Sequence, residues 1–331
     1  MRLRCAEARA DEPMLLFFMD LRGGVIRGTE RFAGHLVPMA DITLTAAFLF
    51  GLLLLFAPGL VASGAAEPAA ANLKPNTVAA FNGYVQLTDA RNNDELRRET
   101  NLLWIDSLPE NERAQAYSAL KRGEVKMRKL ETLENGEKIR CPGGMIHHWT
   151  GVVLIPETKL QDVLRVLQDY DDHAQYYAPD VERSKIESHD GDHFVVFLRF
   201  RRHKIITVVL NTQHEVRYFR DSETREHSRS SATRIAEVEN AGKPNEREKA
   251  PGEDGGFLWR METWWRMEER DGGVYVQSEV VSLTRDIPTG LGWLIGPFVT
   301  SIPKETLTFT LDATRRAVTS HSPAVSAPKQ R

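Results

Sequence analysis

Residues 257–284 read FLWRMETWWRMEERDGGVYVQSEVVSLT, and this stretch decides the fold. In its first half Phe257, Trp259, Met261, Trp265 and Met267 alternate with Arg260, Glu262, Trp264, Arg266 and Glu268. Period two is the mark of a β-strand, so a strand over 257–267 with one buried and one wet face is expected. Asp271-Gly272-Gly273 then turns the chain into a second strand over 274–284, a hairpin by its spacing. On the return strand Tyr275, Gln277, Glu279, Val281 and Leu283 alternate with Val274, Val276, Ser278, Val280 and Ser282. Neither set is plainly apolar, so the direction in which Glu279 faces stays open. A lone carboxylate turned inward must be paired or protonated.

Working outward, further strands are expected over 145–155, 181–187, 193–202, 205–219 and 230–238, with a polar loop over 242–256. Pro156 stops the first of these, and Leu160, Val163, Leu164 and Leu167 then share one helical face. A second short helix carries Tyr170, Ala174 and Tyr177 and closes at Pro179. After the hairpin, a helix over 303–318 places Leu307, Leu311, Thr314 and Val318 together, with Pro303 tolerated in its first turn. The order is strand, two helices, six strands, helix, an α+β arrangement. Upstream, apolar residues at helical spacing (Val78, Phe81, Tyr84, Val85; Leu102, Leu103, Ile105, Leu108; Ala114, Tyr117, Leu120) predict two or three helices. A short strand over 125–133 follows them and ends at Asn135-Gly136.

The beginning of the chain is different. No residue from Ile42 to Ala66 is charged, and residues 44–56 (LTAAFLFGLLLLF) are almost wholly apolar. Arg22, Arg27 and Arg31 lie upstream, and Ala62, Ser63, Gly64, Ala65 and Ala66 downstream, the pattern of a cleaved export signal. An uncleaved anchor is the alternative, because roughly 20 apolar residues can cross a bilayer. Met39 is an alternative start to Met1. The expected divisions are a leader over 1–66, a linker over 67–75, a helical extension with a short strand over 76–142, a main domain over 143–319 and a tail over 320–331. Export to the periplasm or cell envelope follows, with membrane association if the leader stays.

The 331 residues are 41% hydrophobic and 27% charged, ordinary for a globular protein. Without the leader, 37 basic and 40 acidic residues keep the net charge at −3. That balance speaks against nucleic acid, whose binders gain affinity by setting clustered Lys and Arg against phosphates. Of two cysteines, Cys5 leaves with the leader, so Cys141 can form no intrachain disulfide.

The order of elements is similar to the START-like or SRPBCC superfamily, the helix-grip fold. Residues 167–173 (LQDYDDH) and 176–181 (YYAPDV) resemble the passage from the small helices into the second strand in its polyketide cyclase/coenzyme-Q-binding and START branches. Residues 292–298 (GWLIGPF) and 302–307 (IPKETL) resemble the entry to the terminal helix. The resemblance covers about residues 143–319 and implies a curved antiparallel sheet around the last helix, enclosing a cavity for a lipid or another hydrophobic small molecule. Candidates for its lining are Phe200, Leu210, Trp259, Met261, Trp265, Trp293 and Phe298. Arg199, Gln277 and Glu279 are candidates for orienting a ligand's polar group. Large aromatics on alternating strands are also ordinary core filling, and Glu279 could equally join an exposed cross-strand ion pair.

No catalytic signature emerges. His147-His148, His173, His189 and His193 fall in one stretch, but neighbours on a strand point to opposite faces and no HExxH or Cys/His spacing accompanies them. Asp169, Asp171 and Asp172 read as solvated charges at a helix end. Ser282 and Ser301 lack a GxSxG context, Cys141 lacks a partner, and no glycine pair has phosphate-loop spacing, so no metal or cofactor is expected. Three functions stay open: a carrier of an apolar molecule, a cyclase-type enzyme on the same fold, and an interaction protein whose residues 75–122 cover the pocket or dock a partner.

Overall fold

The computed structural model describes residues 72–99, 102–203, 206–287 and 292–321, the last with side chains from residue 301 onward. The leader, Trp293 and Phe298 therefore lie outside the described side chains. The chain begins with helix α1 (Pro75–Arg97), a 3-10 turn (Trp104–Ser107) and α2 (Glu110–Lys121). Strand β1 (Lys126–Lys129) and the small hairpin β2 (Leu133–Glu134) and β3 (Glu137–Lys138) precede the long β4 (Gly144–Pro156). Helix α3 (Leu160–Gln168), a 3-10 turn (Tyr170–Asp172) and α4 (His173–Tyr176) follow. Then come β5 (Val181–Asp190), β6 (His193–His203), β7 (Thr207–Arg220), β8 (Arg225–Glu239) and the two-residue β9 (Arg247–Glu248). The hairpin of β10 (Arg260–Arg270) and β11 (Gly273–Arg285) leads to α5 (Gly292–His321).

The expected order of long elements is the observed one. Asp271 and Gly272 both take positive φ, 56° and 77°, as a two-residue turn between twisted strands requires. All long strands join one antiparallel sheet in the order β1-β4-β11-β10-β8-β7-β6-β5, with β9 beside β8.

The sheet must bend, and one helix shows why. Leu311 of α5 lies over Gly151 of β4, close enough to meet any side chain placed there. Two residues later, Ala313 packs in one cluster with Tyr177 and Val181 at the start of β5. Six strand spacings separate β4 from β5, about 29 Å in a flat sheet, whereas a helix with its side chains is about 10 Å across. A single helix touches both strands because the sheet wraps around it. The architecture is an α+β helix grip.

Both faces of this sheet are covered. On the inner face, Val153, Ile155, Val274, Val276 and Met267 pack with α3 and with Leu307 and Leu311 of α5. On the outer face, Tyr275, Val152 and Leu154 receive Leu103, Ile105 and Leu120, while Val281, Leu283 and Trp264 receive Phe81 and Tyr84 of α1. The wet face expected for 257–267 is therefore not wet: Trp264 and Arg266 are buried beneath α1. Aromatic and ionic groups supplied by α1 make that burial favourable, and strand alternation alone carries no sign of them.

The strand also starts later than expected, at Arg260. The buried Glu237 carboxylate accepts the Gly255 and Phe257 amides at 2.7 and 3.1 Å, which draws residues 255–257 away from the strand path.

Candidate functional site

Position along a strand and cross-strand register assign every side chain to a face. His147, Trp149, Gly151 and Val153 of β4 stand opposite Ser282, Val280, Ser278 and Val276 of β11. These in turn face Met261, Thr263, Trp265 and Met267 of β10. Thr263, Trp265 and Met267 face Ser230, Ser228 and Glu226 of β8. In the same register this face continues through Ala232, His214 and Val196, and the bulge at Gln213/His214 comes after them.

This inner surface has two unlike halves. Where α3 and the later turns of α5 lie on it, Val153, Val276, Met267, Val216 and Phe194 are sealed from solvent. In the other half, Trp149, Val280, Met261, Thr263, Trp265 and Ser230 are only half-buried, although β11, β10 and β8 are central strands. Inward side chains in the middle of a wide sheet keep solvent contact only where the core above them is incomplete. That half of the inner face, aromatic and aliphatic and only half-buried, is the candidate hollow.

Polar groups sit around the floor. His147 and His214 are buried on the inner face, and burial pushes each imidazole down to about 4, with Lys129 adding to the effect at His147. Both rings are neutral near pH 7. The His147 Nε2 lies 3.0 Å from the Thr284 hydroxyl, and the His214 Nε2 lies 2.9 Å from that of Thr212. Ser278, with no exposed surface, has a hydroxyl that meets no hydrogen-bond partner among the described residues.

Of the expected lining residues, Met261 and Trp265 belong to the hollow. Phe200 and Leu210, paired across β6 and β7, stand on the same face toward its β5 side, where Phe200 and Phe309 of α5 pack against the cluster of Tyr177, Val181 and Ala313. Trp259 does not belong. It joins Phe81 and Tyr84 in the outer cluster, because it precedes β10 and its indole N–H is held at 2.8 Å by Asp254. His214, Trp149, Thr263 and Ser230 are not singled out by the sequence, where His147 is weighed only as a metal ligand and Ser278 only as part of an alternation, although the parity of β4 and β11 about the hairpin carries the signal for several of them.

The three residues expected to orient a ligand all lie on the outer face. Arg199 is clamped by Glu246 at 2.8 and 2.9 Å and by Glu182 at 3.1 Å. Gln277 accepts the Trp104 backbone N–H at 2.7 Å. Glu279, 2% exposed, lies under α1 and is bonded by Arg91, by Asn92 at 3.3 Å and by His148 at 2.8 Å. The Tyr84 hydroxyl accepts the Thr132 N–H at 2.7 Å and donates to His148 Nδ1 at 2.8 Å, which leaves the Nε2 proton of His148 for Glu279. Burial alone would raise the Glu279 carboxyl, but the His148 hydrogen bond and the charges of Arg91 and Arg266 together hold it below its usual value. Arg266 binds Asn92 at 2.5 Å, Glu95 at 2.7 Å and the Leu102 carbonyl at 2.9 Å, and Asp89 receives Trp264 and Arg229 at 2.8 and 2.9 Å. Apart from the Arg199 clamp and the His148–Glu279 bond, these contacts tie α1 or the segment after it to the rest of the chain, so the network is a structural fastening.

Adjacent His147 and His148 face opposite ways, as strand geometry requires. Among the described residues no group of histidine, cysteine and carboxylate side chains is placed to hold a metal ion.

No family model matches the sequence, and no curated protein matches it. Solved structures do align with it. A STAR-related lipid transfer protein (fragment 25–204) from Xanthomonas axonopodis is 17% identical over 58% of this chain and 98% of its own, with a TM-score of 0.38. Zhui aromatase/cyclase from Streptomyces sp. R1128 is 14% identical over 55% of this chain and 99% of its own, at 0.36. Human STARD10 is 9% identical over 69% of this chain and 84% of its own, also at 0.36. The assignment of the fold rests on this chain's own strand order and on the reach of α5.

Proposed function

We propose that this protein binds a hydrophobic small molecule or lipid in the hollow between the inner face of the sheet and α5, and that it acts as an exported carrier in the cell envelope. One observation carries the reading: inward residues on the central strands keep solvent contact above an apolar floor. An apolar surface that the protein leaves unfilled gains free energy when an apolar guest covers it, by about 25 cal/mol for each Å² removed from water. Carriage is favoured over cyclase chemistry by the arrangement of the titratable groups. His147 and His214 are four strands apart and bonded to threonines, so they form no acid/base dyad. Residues 75–122 pack on the opposite face of the sheet, which speaks against their covering the pocket and leaves docking of a partner as the other form of the interaction reading.

The test is binding of the fluorophore N-phenylnaphthylamine. Wild-type protein is expected to give saturable enhancement, and Thr263→Trp, which fills the floor, to weaken binding about tenfold, the effect of losing roughly 55 Å² of apolar contact, with an unchanged melting temperature. Absence of saturable binding to the wild type would refute the proposal.

Export is supported by the apolar run at 44–56 and the small residues after it. Intact-mass analysis of protein from the periplasmic fraction is expected to show a chain beginning between residues 62 and 67. Recovery only of the full-length chain, in the membrane fraction, would instead establish an anchor.

A further inference from the structure

A second recess lies at the other end of the inner face, between α3 and the ends of β7 and β8. Its volume is about 520 Å³. Leu164 and Arg165 of α3 form one wall, and Asp192 of the turn between β5 and β6, Arg220 and Glu226 form the other. Register explains the position of Glu226. It stands opposite Met267 of β10, on the inner face, and directly across from Arg220 of β7.

Glu226 is 8% exposed, and what remains of its surface opens into the recess that it lines. Among the described residues its carboxylate has no hydrogen bond and no ion pair. Burial, and then the charge of Asp192, push the carboxyl above its usual value. Arg220 makes no ion pair with it, and its Nε donates instead to the Ser222 carbonyl at 3.3 Å. Arg165 spends one terminal nitrogen on Asp162 at 2.9 Å. A carboxylate with little water and no donor beside it is costly, and a hydrogen-bonding cation in the recess would relieve that cost. Among the described residues no group of three or more histidine, cysteine and acidic side chains is placed to hold a metal ion, so the cation is an organic one.

We propose that this recess binds a small zwitterion, with a primary ammonium seated against Glu226 and Asp192 and a carboxylate or phosphate, a few carbons away, held by Arg165 and Arg220. An ammonium offers three donors and no acceptor, which suits paired carboxylates. Guanidinium groups match the oxygens of carboxylate and phosphate in the same way. The charges of the two arginines and the two acids cancel, so a simple cation or a simple anion would satisfy only one half of the lining. The site is independent of the hollow, whose guest is apolar.

The probes are β-alanine and phosphoethanolamine, each compared with its N-acetyl derivative, which lacks the ammonium, and with ethylamine, which lacks the anion. Titration of nitrogen-15-labelled full-length protein is expected to show saturable shifts of the Asp192, Arg220 and Glu226 amides with at least one zwitterion. N-acetylation should weaken binding about tenfold, the size of one charge-assisted hydrogen bond. Glu226→Gln should weaken it by a similar factor while leaving uptake of N-phenylnaphthylamine unchanged. Because that variant removes a buried charge that has no partner, its melting temperature should be equal to or above that of the wild type. Absence of saturable shifts with both zwitterions would overturn the proposal, and so would equal affinity for the acetylated forms. A lower melting temperature in Glu226→Gln would overturn it too, by showing that the carboxylate already has a partner within the chain.

Discussion

Deleting residues 72–99 is expected to leave a chain that no longer folds cooperatively. Helix α1 buries Phe81 and Tyr84 against Trp259, Trp264, Val281 and Leu283, and loss of one such aromatic costs about 3–5 kcal/mol. It also supplies Arg91 and Asn92 to Glu279, and Asn92 and Glu95 to Arg266, two charged groups that are almost fully buried. Stripping the partners from a buried charge costs about 3–5 kcal/mol more, and a typical domain has only about 5–15 kcal/mol of stability in total. The summed losses exceed that range. Glu279→Gln, which keeps the shape and removes the charge, is expected to cost about 3 kcal/mol. Arg91→Ala should cost less, because Arg91 is 37% exposed and water can replace part of what Glu279 loses. Chemical denaturation of the three variants decides the matter. A truncated chain that melts within a few degrees of the full one would show that α1 is an accessory after all.

Mild acid is expected to destabilise the protein strongly. His147, His173 and His214 are each pushed by burial from 6.5 to about 4, so the unfolded chain takes up protons that the folded chain refuses. Their contribution is complete above pH 6.5 and is lost as the pH falls from 6.5 toward 4. By linkage each site gives up about 2 kcal/mol between pH 7 and pH 5, or about 6 kcal/mol for the three together. Glu279 acts lower: its folded-state carboxyl is depressed, so its contribution holds above the ordinary value of 4.5 and fades as the pH drops through the depressed one. The free energy of unfolding should therefore fall steeply between pH 7 and pH 5, and His214→Phe should flatten that slope by about one proton. A pH-independent midpoint across this interval would show that the three rings titrate normally and are not buried.

The alternation in 257–284 and the spacing of Leu160, Val163, Leu164 and Leu167 made the strand and helix order readable, because period and turn chemistry are local properties. What a face is covered by is not local. Arg91 and Glu279 are 188 residues apart, and nothing near either one announces the other. Trp264 among the polar positions of β10, and Val281 and Leu283 beside Glu279 on β11, were the legible hints that the second face was also buried. Phe81, Tyr84 and Thr88 on α1 were the matching half of that message. The site was harder to read for the same reason. Met261 and Trp265 follow from parity within one strand, while Trp259 is lost to parity because Glu237 draws the preceding residues out of line. His147 and His214 acquire meaning only when register places them on one face with their threonines.

Native mass spectrometry of protein taken gently from its own membrane and periplasmic fractions bears most directly on the hollow. The expected spectrum shows the chain carrying one apolar molecule that organic extraction removes and that Thr263→Trp carries at clearly lower occupancy. A bare polypeptide mass in every preparation, together with no uptake of N-phenylnaphthylamine, would mean that the space beneath α5 holds nothing.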